Sequence, residues 1–214
     1  MEWVEAVSRR PEWSVLESLP PGGGAAHDAG LRRRTARVLG MIDDNRTLPA
    51  VLVEAHQEGF DYRSGAGIDF EPFAEFISAS ETAEWWRAWT GNASLDGAEF
   101  LLFGRDGTGG MAAFWRVREG EPLGHQPVVF LGSEGETGVV ARDLNSYLWL
   151  LASGFGPFEA SRYPEHEHEP QADARLTRLA QRYAASEQQS TADVITAART
   201  EFPRFDDTID RLCR

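Results

Sequence analysis

Glu99-Phe100-Leu101-Leu102-Phe103-Gly104-Arg105-Asp106-Gly107-Thr108-Gly109-Gly110-Met111-Ala112-Ala113-Phe114-Trp115-Arg116-Val117 is the stretch whose reading decides the fold. Two apolar runs of strand length flank a connection of glycines and Asp106, residues that tolerate the positive φ of a tight hairpin. The pattern then repeats. Glu119 to Gly124 breaks the chain, Pro127-Val128-Val129-Phe130-Leu131 reads as a third strand, Gly132-Ser133-Glu134-Gly135-Glu136 turns, and Thr137-Gly138-Val139-Val140-Ala141 reads as a fourth. Pro127 stands at the start of its strand, where a missing N–H is tolerated. Such short connections predict an antiparallel meander. With Arg116 and Arg118 turned to water, alternation points Met111, Ala113, Trp115 and Val117 inward.

Helices surround this block in the sequence. Asp143 is a good N-cap for a helix of about a dozen residues. In that helix Leu144, Tyr147, Leu148 and Leu151 form one apolar face, and Gly154 stops it. The expectation is that Leu144, Leu148 and Leu151 pack on the sheet together with Trp115. Upstream, Ser78 and Glu81 have capping-box spacing at the head of a helix over 79–90. Its Trp85, Trp86 and Trp89 read as core residues. The segment 69–76 is extended or irregular, because Pro72 keeps Glu71 out of the helical region, and its three phenylalanines read as anchors. Residues 31–43 and 47–57 read as helices, with Pro49 fitting only the first turn of the second. A short helix is expected in 1–19, and Pro20-Pro21-Gly22-Gly23-Gly24 is a linker. Beyond Pro157 the chain turns acidic. Two further amphipathic helices follow, one carrying Ala172, Leu176, Leu179, Ala180 and Tyr183, the other Ile195, Ala198 and Phe202 up to Pro203.

What is missing narrows the chemistry. All 21 basic residues are arginine. Without lysine there is no P-loop, no protein-kinase phosphate lysine and no Schiff-base site for pyridoxal phosphate. The single cysteine, Cys213, permits neither an intrachain disulfide nor a cysteine-rich zinc site. That cysteine usage, together with an acidic N-terminus that has no apolar core, predicts a cytoplasmic protein. No apolar run is long enough to cross a bilayer. A net charge of −13 repels nucleic acid and favours basic protein partners.

The charge is uneven. Residues 54–84 hold eight acids, among them Asp69, Glu71 and Glu75, against Arg63, for a net of −7. Residues 31–47 hold five arginines against Asp43 and Asp44, for a net of +3, and read as a solvated helix face.

Candidate chemical motifs are weak. The glycines at 104–110 have the wrong spacing for a phosphate loop, and no helix follows them. Asp106 lacks the carboxylate ladder of a calcium loop. Gly132-Ser133-Glu134-Gly135 is not a nucleophile elbow. Pro164-Glu165-His166-Glu167-His168-Glu169-Pro170 is the sharpest metal candidate, yet alternate residues of an extended loop splay apart, and it reads as a solvated acidic segment. No catalytic residue, metal ligand or cofactor is therefore assigned, and the chain reads as a non-enzyme.

Residues 66–158 resemble the SUKH superfamily of Smi/Knr-type immunity and regulatory proteins. The resemblance is carried by Phe103-Gly104-Arg105-Asp106-Gly107-Thr108-Gly109-Gly110, by Pro127-Val128-Val129-Phe130-Leu131-Gly132-Ser133-Glu134-Gly135-Glu136, and by Val139-Val140-Ala141-Arg142-Asp143-Leu144 running on to Tyr147-Leu148. It covers under half the chain, and its motifs mark turns and core positions.

The resemblance implies an α+β fold with a sheet flanked by helices; together with the runs read above, the expectation is a mostly antiparallel sheet of about four to six strands flanked by helices, with extra helices at both termini. It also implies a non-enzymatic protein. Members of this superfamily commonly bind and neutralise polymorphic toxins, often nucleases, while others are regulatory scaffolds with no toxin partner. The expected organisation is an N-terminal helix and linker (1–30), a SUKH-like core (31–160), and an acidic loop with C-terminal helices (161–214). The expected partner is a basic toxin domain, with neither nucleic acid nor membrane involved. The surface expected to meet it is Asp69, Glu71, Glu75, Glu134 and Glu136.

Overall fold

A computed structural model describes residues 46–63, 66–163 and 170–213. The expected helices at 1–19 and 31–43, the Pro/Gly linker and the His166/His168 segment lie outside the described residues. The elements run α1 (Ala50–Glu58), β1 (Glu71–Pro72), α2 (Ala79–Thr90), β2 (Phe100–Arg105), β3 (Met111–Trp115), β4 (Val128–Leu131), β5 (Thr137–Ala141), α3 (Leu144–Ala152), α4 (Pro157–Ser161), α5 (Ala174–Tyr183), α6 (Thr191–Glu201) and α7 (Phe205–Asp210). The fold is α+β. Its five strands pair in sequence order, every pair antiparallel.

Local chemistry sets the boundaries. Ser78 and Glu81 form the expected capping box on α2, and Gly91 ends that helix in the left-handed conformation. The Asp143 carboxylate accepts from the Ser146 N–H and starts α3. Pro49 is the N-cap of α1 rather than part of its first turn, and proline costs nothing there because the groups it lacks are not needed. Gly104 sits where β2 meets the segment before β1: a Cβ would lie 2.1 Å from the Phe70 ring, so any side chain here would have to displace that ring.

The sheet is buried on both faces. On one, Leu101, Phe103, Ala112, Phe114, Phe130 and Val140 pack against α1, α3 and α5. On the other, Phe100, Leu102, Ala113, Val129, Leu131 and Val139 meet Trp86 of α2, Ala198 of α6 and Phe205 and Ile209 of α7. The helices beyond residue 161 therefore contribute to the same core as the strands.

This two-sided burial corrects three expectations. First, β3 has no solvated face. Ala112 and Phe114 are as buried as Ala113, while Met111 and Trp115 are half-buried and Val117, past the strand end, is 40% exposed. Second, Trp115 does not share a layer with Leu144, Leu148 and Leu151. Those leucines belong to the first face, and Trp115 lies on the second, against Phe202 and Phe205. Third, α3 has no polar side among residues 146–152: Trp149 and Leu150 are as buried as Leu148, because α5 packs over its outer surface. Arg118, expected in water, instead donates to the carbonyls of His125 and Arg142, pairs with Glu201 and lies over the Phe202 ring.

Two polar side chains of the first layer, His56 and Tyr147, lack hydrogen-bond partners. His56 of α1 stacks on Phe103 and meets Phe60 and Phe70 edge-on, at centroid distances of 6.0–6.3 Å, and neither ring nitrogen has a hydrogen-bond partner. Burial pushes its pKa down to about 4, against a weaker opposing effect of the Phe73 backbone.

Leu148→Ala is expected to lower stability by roughly 2–5 kcal/mol, the range for a buried leucine truncation with its cavity. A loss below about 1 kcal/mol in urea melts would show that this face is not core. His56 carries a pH dependence of defined sign. Its folded pKa lies below its unfolded one, so the unfolded chain binds the extra proton first, and stability falls as pH drops from about 6.5 towards 4. The His56 contribution is expected to reach about 2–3 kcal/mol. His56→Leu should remove that part of the acid dependence, read as the difference between urea midpoints at the two ends of the window.

Candidate functional site

Three turns gather at one end of the sheet. Antiparallel pairing of Glu71 with Arg105 puts the start of β1 beside the end of β2. Pairing of Met111 with Leu131 puts the β2–β3 turn on the same side as the β4–β5 turn. Ser133 Oγ donates to Thr108 Oγ1 at 2.9 Å and joins the two turns. On the other flank the Gly107 N–H donates to Asp69 Oδ1 at 2.9 Å.

Asp106 organises the centre of this end. It is 3% exposed. Its Oδ1 accepts from the Thr108 N–H, the Thr108 hydroxyl and the Gly110 N–H at 2.8–2.9 Å. Oδ2 is buried without a hydrogen-bond partner. The glycines at 107–110 thus serve an aspartate-braced hairpin.

Four of the five expected partner-binding acids stand at this end. Asp69 is half-buried and spends one oxygen on the Gly107 turn. Glu71 is exposed and pairs with Arg105 at 2.8 Å. Glu134 is exposed at the tip of the β4–β5 turn. Glu136 is half-buried, folds back to accept from the Glu134 N–H at 3.1 Å, and lies 3.8 Å from Arg162. Glu75 is apart from them. The segment from Phe73 to Ile77 runs along the outer edge of β2 towards Leu102, away from Arg105, and carries Glu75 with it.

Two features of this region were not expected from the sequence. Glu159 of α4, 3% exposed, accepts from the Asp69 N–H at 2.9 Å and from the Gly156 N–H at 3.0 Å, tying the lead-in of β1 to α4. Its sequence signal is the three-residue spacing of Gly156 and Glu159, the reach of a carboxylate back to the first N–H of its own helix. The second feature is on α2. Trp86 is fully buried, but Trp85 and Trp89 are half-exposed and stacked at 5.5 Å. Trp89 Nε1 donates to the Gly132 carbonyl at 2.8 Å, so the pair borders the acidic turn. The tryptophans expected in the core are thus one core residue and two surface-bordering ones.

Among the described residues no three His, Cys, Asp or Glu side chains are grouped to hold a metal ion, and no helix is long and apolar enough to cross a membrane. Comparisons of the chain with protein-family models, with curated proteins and with solved structures find no match in any of the three.

Asp106→Ala should cost roughly 2–3 kcal/mol, because it strands two backbone donors and a hydroxyl at once. Asp106→Asn keeps the accepting oxygen and should cost less. Equal losses for the two, read from thermal or urea unfolding, would mean that the Oδ1 bonds do not hold this turn.

Proposed function

We propose that the chain is a non-enzymatic binding protein of the SUKH type, which neutralises a basic toxin domain, of nuclease class, by covering its phosphate-gripping surface. The observation that carries this reading is the clustering of Asp69, Glu71, Glu134 and Glu136 at one end of the sheet, on turns braced by Asp106 and Glu159. Carboxylates on braced turns present a negative field without a large ordering cost on docking. A nuclease is most basic where it holds nucleic acid, so the complementary surface is also the one whose occlusion stops it. The half-exposed Trp85 and Trp89 supply apolar contact beside the charges, the composition typical of interface anchors.

Partial self-neutralisation by Arg105 and Arg162 limits what the acids add to affinity. Their main contribution is to steering and orientation. Glu134 and Glu71 carry that role, while Glu136 is bent back onto its own turn.

The test uses the toxin domain encoded beside the gene as ligand, with stopped-flow association at low salt and at about 0.15 M, where the Debye length is about 8 Å. Association is expected to slow with salt. Glu71→Arg combined with Glu134→Arg should slow it by about tenfold more at low salt, with the unfolding midpoint little changed. Binding indifferent to both salt and reversal would place the contact elsewhere. A gene with no neighbouring toxin domain would favour the Smi/Knr-type regulatory reading.

A further inference from the structure

The strand register sets one row of side chains across the sheet. Glu71 pairs with Arg105, Arg105 with Met111, and Met111 with Leu131. Directly paired residues share a face, and Leu131 and Met111 belong to the layer under α2. Glu71 and Arg105 therefore open on the α2 side of the sheet. Trp89 caps this row, because its bond to the Gly132 carbonyl sets the indole beside Leu131 and the half-buried Met111.

Trp85, one turn earlier, is less committed. Its ring plane lies within 15° of that of Trp89, so Trp89 takes one face of it. It is half-exposed, and its Nε1 makes no hydrogen bond among the described residues. Side chains on a helix lean towards its N-terminus, so the other face of Trp85 looks to the first turn of α2. Glu81 stands there, four residues before Trp85 and on the same side of the helix. Its Oε2 accepts from the Ser78 N–H and hydroxyl at 2.8 and 2.5 Å, which fixes the carboxylate, while Oε1 accepts nothing among the described residues. Glu84 is exposed on the neighbouring stripe, and Glu75 is exposed just ahead of the helix. The arginines on this side are already engaged: Arg105 with Glu71, Arg87 with the Leu95 carbonyl, and Arg46 with the Ile77 carbonyl and the Thr82 hydroxyl. The aromatic pair thus stands between two groups of acids, Glu71 and Glu134 at the turns and Glu75, Glu81 and Glu84 at the head of α2.

We propose that Trp85 and Glu81 together seat an arginine side chain of the partner protein, with the guanidinium flat on the indole and donating to Glu81 Oε1. The negative face of an indole attracts a cation more strongly than any other side-chain ring does. A guanidinium is planar and weakly hydrated, so it stacks at a smaller desolvation cost than the ammonium of lysine. The seat is also ordered before the partner arrives. Trp89 is held by Gly132, and Trp86 beneath is fully buried and stacked on Phe100 at 4.4 Å, so little side-chain entropy is lost on docking. This inference rests on the reading that the partner is basic, and it divides the labour on that surface. Glu71 and Glu134 steer, whereas Trp85 anchors and selects arginine.

The probe is a synthetic peptide alternating glycine and arginine, blocked at both ends and titrated into the ¹⁵N-labelled full chain. Two analogues carry lysine or citrulline in place of arginine; citrulline keeps the planar shape and loses the charge. The Trp85 indole N–H signal should move with the arginine peptide, which should bind at least about threefold more tightly than the lysine peptide, while the citrulline peptide should leave the signal in place. Trp85→Ala should lower the affinity for the arginine peptide by about fivefold and remove its advantage over lysine, whereas Trp85→Phe should keep part of both. Glu81→Gln retains the capping box and should weaken the arginine peptide. If Trp85→Ala does not fold, the lysine and citrulline peptides still decide. Equal binding of arginine and lysine peptides, an arginine preference that survives Trp85→Ala, or no binding at about 5 mM peptide would overturn the proposal. Each of these results leaves the toxin-binding reading intact, since that reading is judged by the salt dependence of toxin association. A toxin that binds without regard to salt or to reversal of Glu71 and Glu134 would remove that reading and leave the arginine preference at Trp85 in place.

Discussion

A sheet whose central strands have no solvated side needs a cover on each face, and the rest of the structure follows from that need. All four residues of β4 are buried, as are the first five of β2. One face takes α1, α3 and α5 with Val194 and Ile195 of α6, and the other takes Trp86, Ala198 of α6 and α7. Because α3 is itself overlaid by α5, it is apolar almost all round. Because both faces are covered by residues far along the chain, the C-terminal helices are part of the core and not an appendage to it. Burial on this scale is the main force opposing chain entropy.

The rigid layers determine what the turns can do. Where the strands end, Asp106, Asp69 and Glu159 satisfy backbone donors that would otherwise be orphaned, each with a carboxylate oxygen at 2.8–3.0 Å. The acids near them, Glu71 and Glu134, are left at the surface on a frame that does not need ordering when a partner arrives. An end with satisfied turns and surface charge suits a charged protein surface.

Much of this was legible in the residues. The apolar runs around 104–110 and 132–136 place the β2–β3 and β4–β5 hairpins, and Ser78 with Glu81 and Asp143 with Ser146 place two helix starts, because these signals are local. Signals that depend on distant partners were not legible. Alternation along 111–117 assigns one inward face, but it carries no information on which helices cover either face, so it separates neither the layer of Trp115 from that of Leu148 nor the paired Arg118 from a solvated one. The short pairing of Glu71 and Pro72 leaves no periodic trace. At the site, acidic density pointed to Asp69, Glu71, Glu134 and Glu136 without showing that they converge. Glu75 carried the same local signal and diverges, because a chain that runs on along the β2 edge leaves the turn behind. Asp106 read as an ordinary turn residue, and nothing nearby in sequence marks its burial.

Native-state hydrogen exchange tests whether α6 and α7 are integral to the fold. Amides of Ala113 and Val129 in the strands and of Ile195 and Ala198 in α6 are expected to exchange through one shared opening, with free energies within about 1 kcal/mol of each other. Amides of α6 that open at free energies several kcal/mol below those of the strands would contradict it, and would make residues 191–210 a separable layer on a sheet that is stable without them.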